Sequence, residues 1–269
     1  MTNRYILGLL YCLKYIIINN IIKVQMNIAG KFMIAGHRGA ASLAPENTLS
    51  GFKKALQSGA TWIELDVQLS ADKTPIIFHD ETVDRCTNGE GLVADLMFKE
   101  LQALDAGSWF SEAFIGEQIM SLEQTLLFFM ENDLNMNLEI KVHHAHQAKP
   151  LVDEISKILA KVKFPNEKLI LSSFSELALA HCHQVMSEIR LGYITEHDPL
   201  ITLEKLKPLN LYSVHLDHKI LEQTMAKKIT NSGLKLIIWT LNDVTQTDKF
   251  RSWGVEIIIT DKPDVFINA

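Results

Sequence analysis

From Met33 to the end of the chain, short apolar, β-branched runs alternate with longer amphipathic ones. The runs that read as strands are Met33–Gly36, Trp62–Val67, Asn137–Lys141, Lys168–Ser172, Arg190–Ile194, Leu211–Leu216, Lys235–Trp239 and Glu256–Ile259. Between them, apolar residues recur at three- and four-residue spacing over Thr48–Gln57, Leu122–Glu131, Ala148–Val162, Glu176–Met186, Leu203–Lys207, Glu222–Asn231 and Val244–Ser252, the mark of one-sided helices. Strands that alternate with helices imply parallel β-α-β units. Eight such units predict a closed (β/α)8 TIM barrel. An open doubly wound sheet is the alternative, but neither GxGxxG nor GxxxxGK[ST] occurs to support its nucleotide-binding forms. No Pro- or Ser-rich linker divides the chain, so residues 33–269 read as one domain.

One segment breaks the rhythm. Gln68 to His79 holds two alternating runs joined by the polar turn Ala71–Thr74, which predicts a β-hairpin. The stretch Glu81–Ile119 follows, with Asn88 and Gly89 as a turn signal. Barrels carry their active sites at the carboxyl ends of the strands, and long excursions there are usually functional. The sequence therefore predicts a small cap inserted after the second strand, over about residues 68–117.

Residues 1–32 follow a different pattern. Ile6 to Leu13 and Tyr15 to Ile18 are apolar, but Lys14, Asn19, Asn20 and Lys23 interrupt them. A membrane span needs about 20 predominantly apolar residues. A signal peptide ends in small residues of the A-x-A kind, and none precede Met26. Three readings stand: a dispensable tail or upstream mis-start, a membrane-associating helix over residues 5–24, or a cleaved signal. Membrane contact, if any, would run through this segment alone.

Composition narrows the class of partner. The 269 residues carry a formal net charge of −6, with a sequence pI of about 5.9. That balance disfavours nucleic acid, which binds a basic footprint. An anionic small molecule would need a local site built from a metal, an arginine or a helix N-terminus. Three cysteines at wide spacing, Cys12, Cys86 and Cys182, form no disulfide framework and fit a reducing, cytoplasmic compartment.

Polar residues cluster where the strands end. The first strand runs into His37, Arg38 and Gly39, the second carries Glu64 and Asp66, the hairpin returns at His79 and Asp80, and the third carries Glu139 and Lys141. Residues two apart on a strand face the same way, so Glu64 and Asp66 share a side. Like charges this close are costly unless something positive joins them. Glu64, Asp66 and Glu139 suit a hard, oxygen-seeking divalent cation, Mg²⁺ or Ca²⁺. Simple pairing of Glu64 or Glu139 with Lys141 or Arg38 is the bland alternative. His37 and His79 titrate near neutrality and can serve as acid and base. Arg38 could grip phosphate oxygens through its fork and Lys141 as a point charge. Trp239, at a strand end, either packs against a glycerol or alcohol moiety or fills the barrel.

Together these residues form an ordered set. His37-Arg38-Gly39, Pro45-Glu46-Asn47-Thr48, Glu64-Leu65-Asp66-Val67, Phe78-His79-Asp80 and Leu138-Glu139-Ile140-Lys141, with Trp239-Thr240-Leu241-Asn242 near the end, resemble the glycerophosphodiester phosphodiesterase family, in its bacterial cytosolic type. The resemblance runs from about Met33 to the C-terminus. It implies a capped barrel and hydrolysis of a small glycerophosphodiester to an alcohol and sn-glycerol 3-phosphate. It also implies His37 and His79 as the acid-base pair, a divalent metal on Glu64, Asp66 and Glu139, and phosphate contacts from Arg38 and Lys141. Glu46 supports the metal shell or caps the first helix; Asn47 is itself a good N-cap. Attack by water and attack by the neighbouring glycerol hydroxyl are both compatible with this set.

Two other functions remain open: lysophospholipase D or phosphoinositide-type cleavage on the same barrel, and phosphodiester binding without turnover. The intact histidine pair argues against the second. His143, His144 and His146 read as cleft-rim residues, His181 and His183 as surface residues, and Tyr193 and His215 as core or rim.

Overall fold

The computed structural model describes residues 33–269. The readings made for residues 1–32 lie outside the described residues. The strands are β1 (Met33–His37), β2 (Trp62–Leu69), β3 (Pro75–Ile77), β4 (Asn135–Ile140), β5 (Leu169–Ser173), β6 (Arg190–Thr195), β7 (Ser213–Asp217), β8 (Lys235–Trp239) and β9 (Val255–Thr260). All but β3 pair in parallel, and β1 lies between β2 and β9, which closes the sheet. The result is the expected eight-stranded parallel barrel. β3 pairs antiparallel with β2, Val67 opposite Ile77, so the hairpin forms as its turn residues indicate. Lys73 takes the left-handed conformation at the turn, with φ of 60°.

The helices are α1 (Leu49–Gln57), α2 (Phe98–Gln102), α3 (Leu122–Glu131), α4 (Ala148–Val162), α5 (Glu176–Val185), α6 (Leu200–Leu206), α7 (Gln223–Asn231), α8 (Thr247–Ser252) and α9 (Pro263–Ile267). Their boundaries follow local chemistry. Ser121 and Gln124 cap α3 reciprocally: the Ser121 hydroxyl accepts from the Gln124 amide, and the Ser121 amide donates to the Gln124 side chain. In α4, Leu151, Val152, Ile155 and Leu159 are buried, one face at helical spacing. The cap of α1 differs from expectation. Thr48, not Asn47, is the N-cap, its hydroxyl accepting from the Gly51 amide at 3.2 Å.

Strand alternation separates two environments. Ile63, Leu65 and Val67 of β2 are buried under the helices, and the intervening residues point into the barrel. Ala35, Trp62, Ile170, Ile237, Ile257 and Ile259 fill the barrel interior as an apolar plug. The Arg190 guanidinium lies over the rings of Trp62 and Tyr212, at 5.6 and 4.9 Å from their centroids. Two residues further along the same strands, the inward positions turn polar: His37 follows Ala35, and Glu64 and Asp66 follow Trp62. The apolar plug thus becomes the floor of a polar site.

The stretch between β3 and α3 has a small core of its own. Ile76, Phe78, Val83, Cys86, Val93, Leu101, Ala106 and Ile119 pack together. Cys86 and Cys182 are free thiols, both buried. Among the described residues, no helix is long and apolar enough to cross a membrane.

Candidate active site

Strand register assembles the acidic residues. Asp66 on β2 stands opposite Glu139 on β4, and Glu64 on β2 stands opposite His37 on β1. Glu64, Asp66 and Glu139 are buried, and each offers one oxygen within 4.8 Å of the others. The cations expected nearby are present. The Lys141 ammonium donates to Glu139 at 2.7 Å and lies 3.6 Å from Asp66. Arg38 places its Nε 3.3 Å from Asp66 and donates from Nη1 to Glu46 at 2.7 Å.

These charges are unevenly shared. Burial would raise the pKa of Asp66, but Arg38 and Lys141 outweigh it and hold the carboxyl well below its usual range. Glu64 moves the other way: burial and the neighbouring Asp66 charge push it up. Glu139 is also raised, chiefly by burial, despite Lys141. Two cations therefore do not offset three buried carboxylates. Pairing with Lys141 accounts for Glu139, yet Glu64 stays raised although His37 and Arg38 offset part of the effect. The donor set, all carboxylate oxygen and converging, fits a hard divalent cation.

The turn after β1 aims Arg38. Arg38 itself is left-handed, with φ of 49°, and its amide donates to Glu64 at 3.2 Å. Gly39 has φ of 97°, and a Cβ there would sit 2.6 Å from the Gly51 carbonyl carbon of α1. Only glycine fits where α1 approaches this closely. Asn47, released from capping, donates from its amide to Asp66 at 2.8 Å and accepts the Asp66 backbone amide at 3.3 Å. Glu46 neither caps α1 nor joins the carboxylate trio. Its carboxylate accepts from Arg38 and from both terminal nitrogens of Arg85, at 2.9 and 2.8 Å.

Each histidine has its own carboxylate. His37 Nδ1 lies 2.6 Å from Asp261, and its Nε2 lies 3.9 Å from Glu64. Burial disfavours the charged ring, but the Asp261 hydrogen bond and the Glu64 charge prevail and raise its pKa. His79 Nδ1 lies 2.6 Å from Asp80. Burial, with Arg38 and Lys141 close by, lowers the His79 pKa in spite of Asp66 and Asp80. A cavity of about 210 Å³ opens here, lined by His37, Arg38, Glu64, His79, Glu139 and Lys141 among others. Trp239 and Phe174 line it too, edge to face at 5.7 Å. All the expected site residues except Asp66 line this one cavity, and Asp66 lies directly behind it on Arg38 and Lys141.

A sequence profile of the glycerophosphoryl diester phosphodiesterase family matches residues 37–265. The chain belongs to the glycerophosphoryl diester phosphodiesterase family. A glycerophosphodiester phosphodiesterase of Caldanaerobacter subterraneus subsp. tengcongensis is 34% identical over 240 residues, spanning 88% of this chain and 97% of the relative. One from Bacillus subtilis is 31% identical over 252 residues, spanning 88% and 85%. Among solved structures, an Oleispira antarctica phosphodiesterase in complex with the product sn-glycerol-3-phosphate superposes with a TM-score of 0.84 at 30% identity, over 88% of this chain and 95% of that one. The enzyme class expected from the motifs, phosphodiester hydrolase, is that of the glycerophosphoryl diester phosphodiesterase family.

Four polar residues at the site had no role in the sequence reading. Asp261 follows β9 directly, the position at which other strands carry site residues, and that was the available signal. Asp80 adjoins His79. Asn137 precedes Glu139 by two residues on the same face of β4, and Glu196 follows β6. The remaining histidines fall elsewhere. His144 lies on Glu81 at 2.9 Å and stacks on His146. His181 contacts Asp153 at 2.7 Å on the surface. Among the described residues, the Glu64, Asp66 and Glu139 group is the cluster with metal-ligand spacing.

Proposed function

We propose that this protein hydrolyses small glycerophosphodiesters to an alcohol and sn-glycerol 3-phosphate in the cavity at the carboxyl ends of the barrel strands. The observation that carries this reading is the buried carboxylate trio flanked by two histidines, each paired with its own carboxylate. Glu64, Asp66 and Glu139 hold one divalent cation, Mg²⁺ or Ca²⁺. Bound there, such an ion supplies Lewis-acid stabilisation of charge on phosphate oxygens. Arg38 and Lys141 contact the same phosphate, and Trp239 contacts the alcohol or glycerol portion.

The two histidines divide the proton work. Phosphodiester cleavage needs a base to take a proton from the attacking oxygen and an acid to give one to the departing alkoxide. His37, with its pKa raised by the Asp261 hydrogen bond and the Glu64 charge, holds a proton more readily than His79 and serves as the acid. His79, with its pKa lowered, is neutral and serves as the base. The largest raising influence on His37 is Asp261, which is not one of the trio. The attacking oxygen is that of water, or of the neighbouring glycerol hydroxyl through a cyclic phosphate that water then opens. The P–O bond to the alcohol breaks, and its oxygen leaves with the proton from His37.

Residues 33–269 act as the barrel, and the excursion over about residues 68–117 acts as its cap. The proposed chemistry draws on no residue of the apolar stretch 1–32. The unpaired thiols suit a cytoplasmic setting. Lysophospholipase D activity would draw on the apolar residues 1–32 for docking on a membrane, and no feature of the described residues favours it. The reading is tested by product analysis: equal amounts of choline and sn-glycerol 3-phosphate from glycerophosphocholine support it. Faster cleavage of lysophosphatidylcholine under the same conditions would replace it with the lipase reading.

A further inference from the structure

The charged side chains that line the cavity are unevenly placed. The closed sheet runs β1, β2, β4, β5, β6, β7, β8, β9 and back to β1, so β6 lies across the barrel from β1. His37 and Arg38 stand at the end of β1, the carboxylate trio on β2 and β4, and Lys141 just beyond β4. On the far side, just beyond β6, the cavity has a further carboxylate, Glu196, that the proposed chemistry leaves unused.

Glu196 differs from the other carboxylates of the lining. Glu64 accepts from the Arg38 amide and Glu139 from the Lys141 ammonium. Glu196 is exposed and forms no ion pair or side-chain hydrogen bond among the described residues. Its position is nevertheless set by its neighbours. The Thr195 hydroxyl accepts from the His197 amide at 3.0 Å, a tight turn with Glu196 at its centre. Asp198 is engaged with α6, where it accepts the Leu200 amide at 2.9 Å. The Glu196 charge is thus held at the cavity with nothing of the protein to neutralise it.

The lining near Glu196 is aromatic. Phe174 follows β5, the strand paired with β6, and Trp239 ends β8. Both line the cavity, edge to face at 5.7 Å, and Phe174 is 42% exposed, so a ligand can reach it. The Lys141 ammonium already lies 5.9 Å from the Phe174 ring centroid. A carboxylate together with aromatic rings is the chemistry that recognises an ammonium group, the one by charge and the others by their quadrupole. A neutral polyol gains neither attraction, and a second anionic group would be repelled by Glu196.

We propose that Glu196, against the aromatic wall of Phe174 and Trp239, forms a head-group subsite that selects diesters whose alcohol carries an ammonium or quaternary ammonium group. This rests on the function proposed above. A zwitterionic diester matches the polarity of the cavity: its phosphate lies on Arg38 and Lys141, and its cation lies toward Glu196.

Glu196→Gln removes the charge and keeps the shape; Glu196→Lys reverses the charge. Each is assayed on glycerophosphocholine, glycerophosphoethanolamine and glycerophosphoglycerol, which share the phosphate and differ in the charge of the alcohol. The ratio of kcat/KM for either cationic diester to that for glycerophosphoglycerol should fall about threefold to fivefold in Glu196→Gln, the scale of an exposed ion pair. It should fall further in Glu196→Lys. The change should lie in KM, as for a contact made equally in the ground and transition states. In the wild-type protein the same ratio should shrink as NaCl is raised, because salt screens exposed charges, and in Glu196→Gln it should respond much less. Ratios unchanged in both variants would overturn the subsite and leave the hydrolase reading standing. Wild-type protein that cleaves none of the three diesters would overturn both.

Discussion

Asp261 Oδ1 lies 2.6 Å from His37 Nδ1, although the two residues are 224 positions apart in the chain. Asn242 holds the other Asp261 oxygen at 2.6 Å and accepts the Asp261 amide at 2.9 Å. The carboxylate is thereby fixed, and the His37 ring with it. Its Nε2 is left as the nitrogen on the Glu64 side, 3.9 Å from that carboxylate. Asp261 is a positioning residue: it acts through His37.

The pH profile follows from the two histidines. His79 works neutral, and its pKa is lowered, so activity rises with pH on the acid side of the ordinary imidazole value of about 6.5. His37 works protonated, and its pKa is raised, so activity falls on the alkaline side of that value. The expected kcat profile is a bell with a wide top. Asp261→Asn removes the charge that favours imidazolium, so the alkaline limb should move to lower pH while the acid limb stays. An unmoved alkaline limb would take Asp261, and the acid role of His37, out of the account.

His37→Ala and His79→Ala should each cost at least ~100-fold in kcat, the lower range for a general acid or base. Losses below tenfold would remove that residue from the pair. Far-UV circular dichroism on each variant separates loss of chemistry from loss of fold.

The metal assignment has a readout that does not depend on turnover. Burial and the Asp66 charge raise Glu64, so the carboxylates repel one another in the folded state. A cation that binds only the native protein stabilises it by mass action. Adding Mg²⁺ or Ca²⁺ should raise the Tm of the wild-type protein. Glu64→Ala and Glu139→Ala should weaken that dependence and shift the metal titration to higher concentration. A titration unchanged in both variants would refute the site.

Arg85 is half-exposed, yet it joins the two sides of the site. It donates to Asp80 at 2.6 and 2.9 Å and to Glu46 at 2.9 and 2.8 Å. Asp80 in turn holds His79, and Glu46 holds Arg38. Without Arg85, Asp80 loses its anchor and Glu46 competes with Asp66 for Arg38. Arg85→Ala should lower kcat by about tenfold, as loss of groups that orient ligating or reacting side chains does. Arg85→Lys should restore little, because an ammonium lacks the planar fork. Full rescue by lysine would reduce Arg85 to a surface charge.

Much of this arrangement was legible in the sequence, for a physical reason. Parallel barrel strands are buried on both faces, so a carboxylate or histidine within an apolar run stands out; Glu64, Asp66 and Glu139 do. Period-two geometry then places Glu64 and Asp66 on one side. The capping error has an equally plain cause. Asn47 and Thr48 are both competent caps, and only the fold shows that Asn47 is taken by Asp66. The partnership of Asp261 with His37 depends on closure of β9 against β1, which no local pattern encodes. Helix α6 begins at Leu200, earlier than periodicity suggests, because Ile201 in its first turn points to solvent at 88% exposure and breaks the apolar spacing. The short helices α2 and α9, of five residues each, are below the length at which a helical repeat shows.

The most direct test of the central claim is sn-glycerol 3-phosphate release from glycerophosphocholine, measured after EDTA and again with Mg²⁺ or Ca²⁺ restored. The account predicts activity that disappears with chelator and returns with metal. Full activity in EDTA, or none with either metal while the protein remains folded, would contradict it.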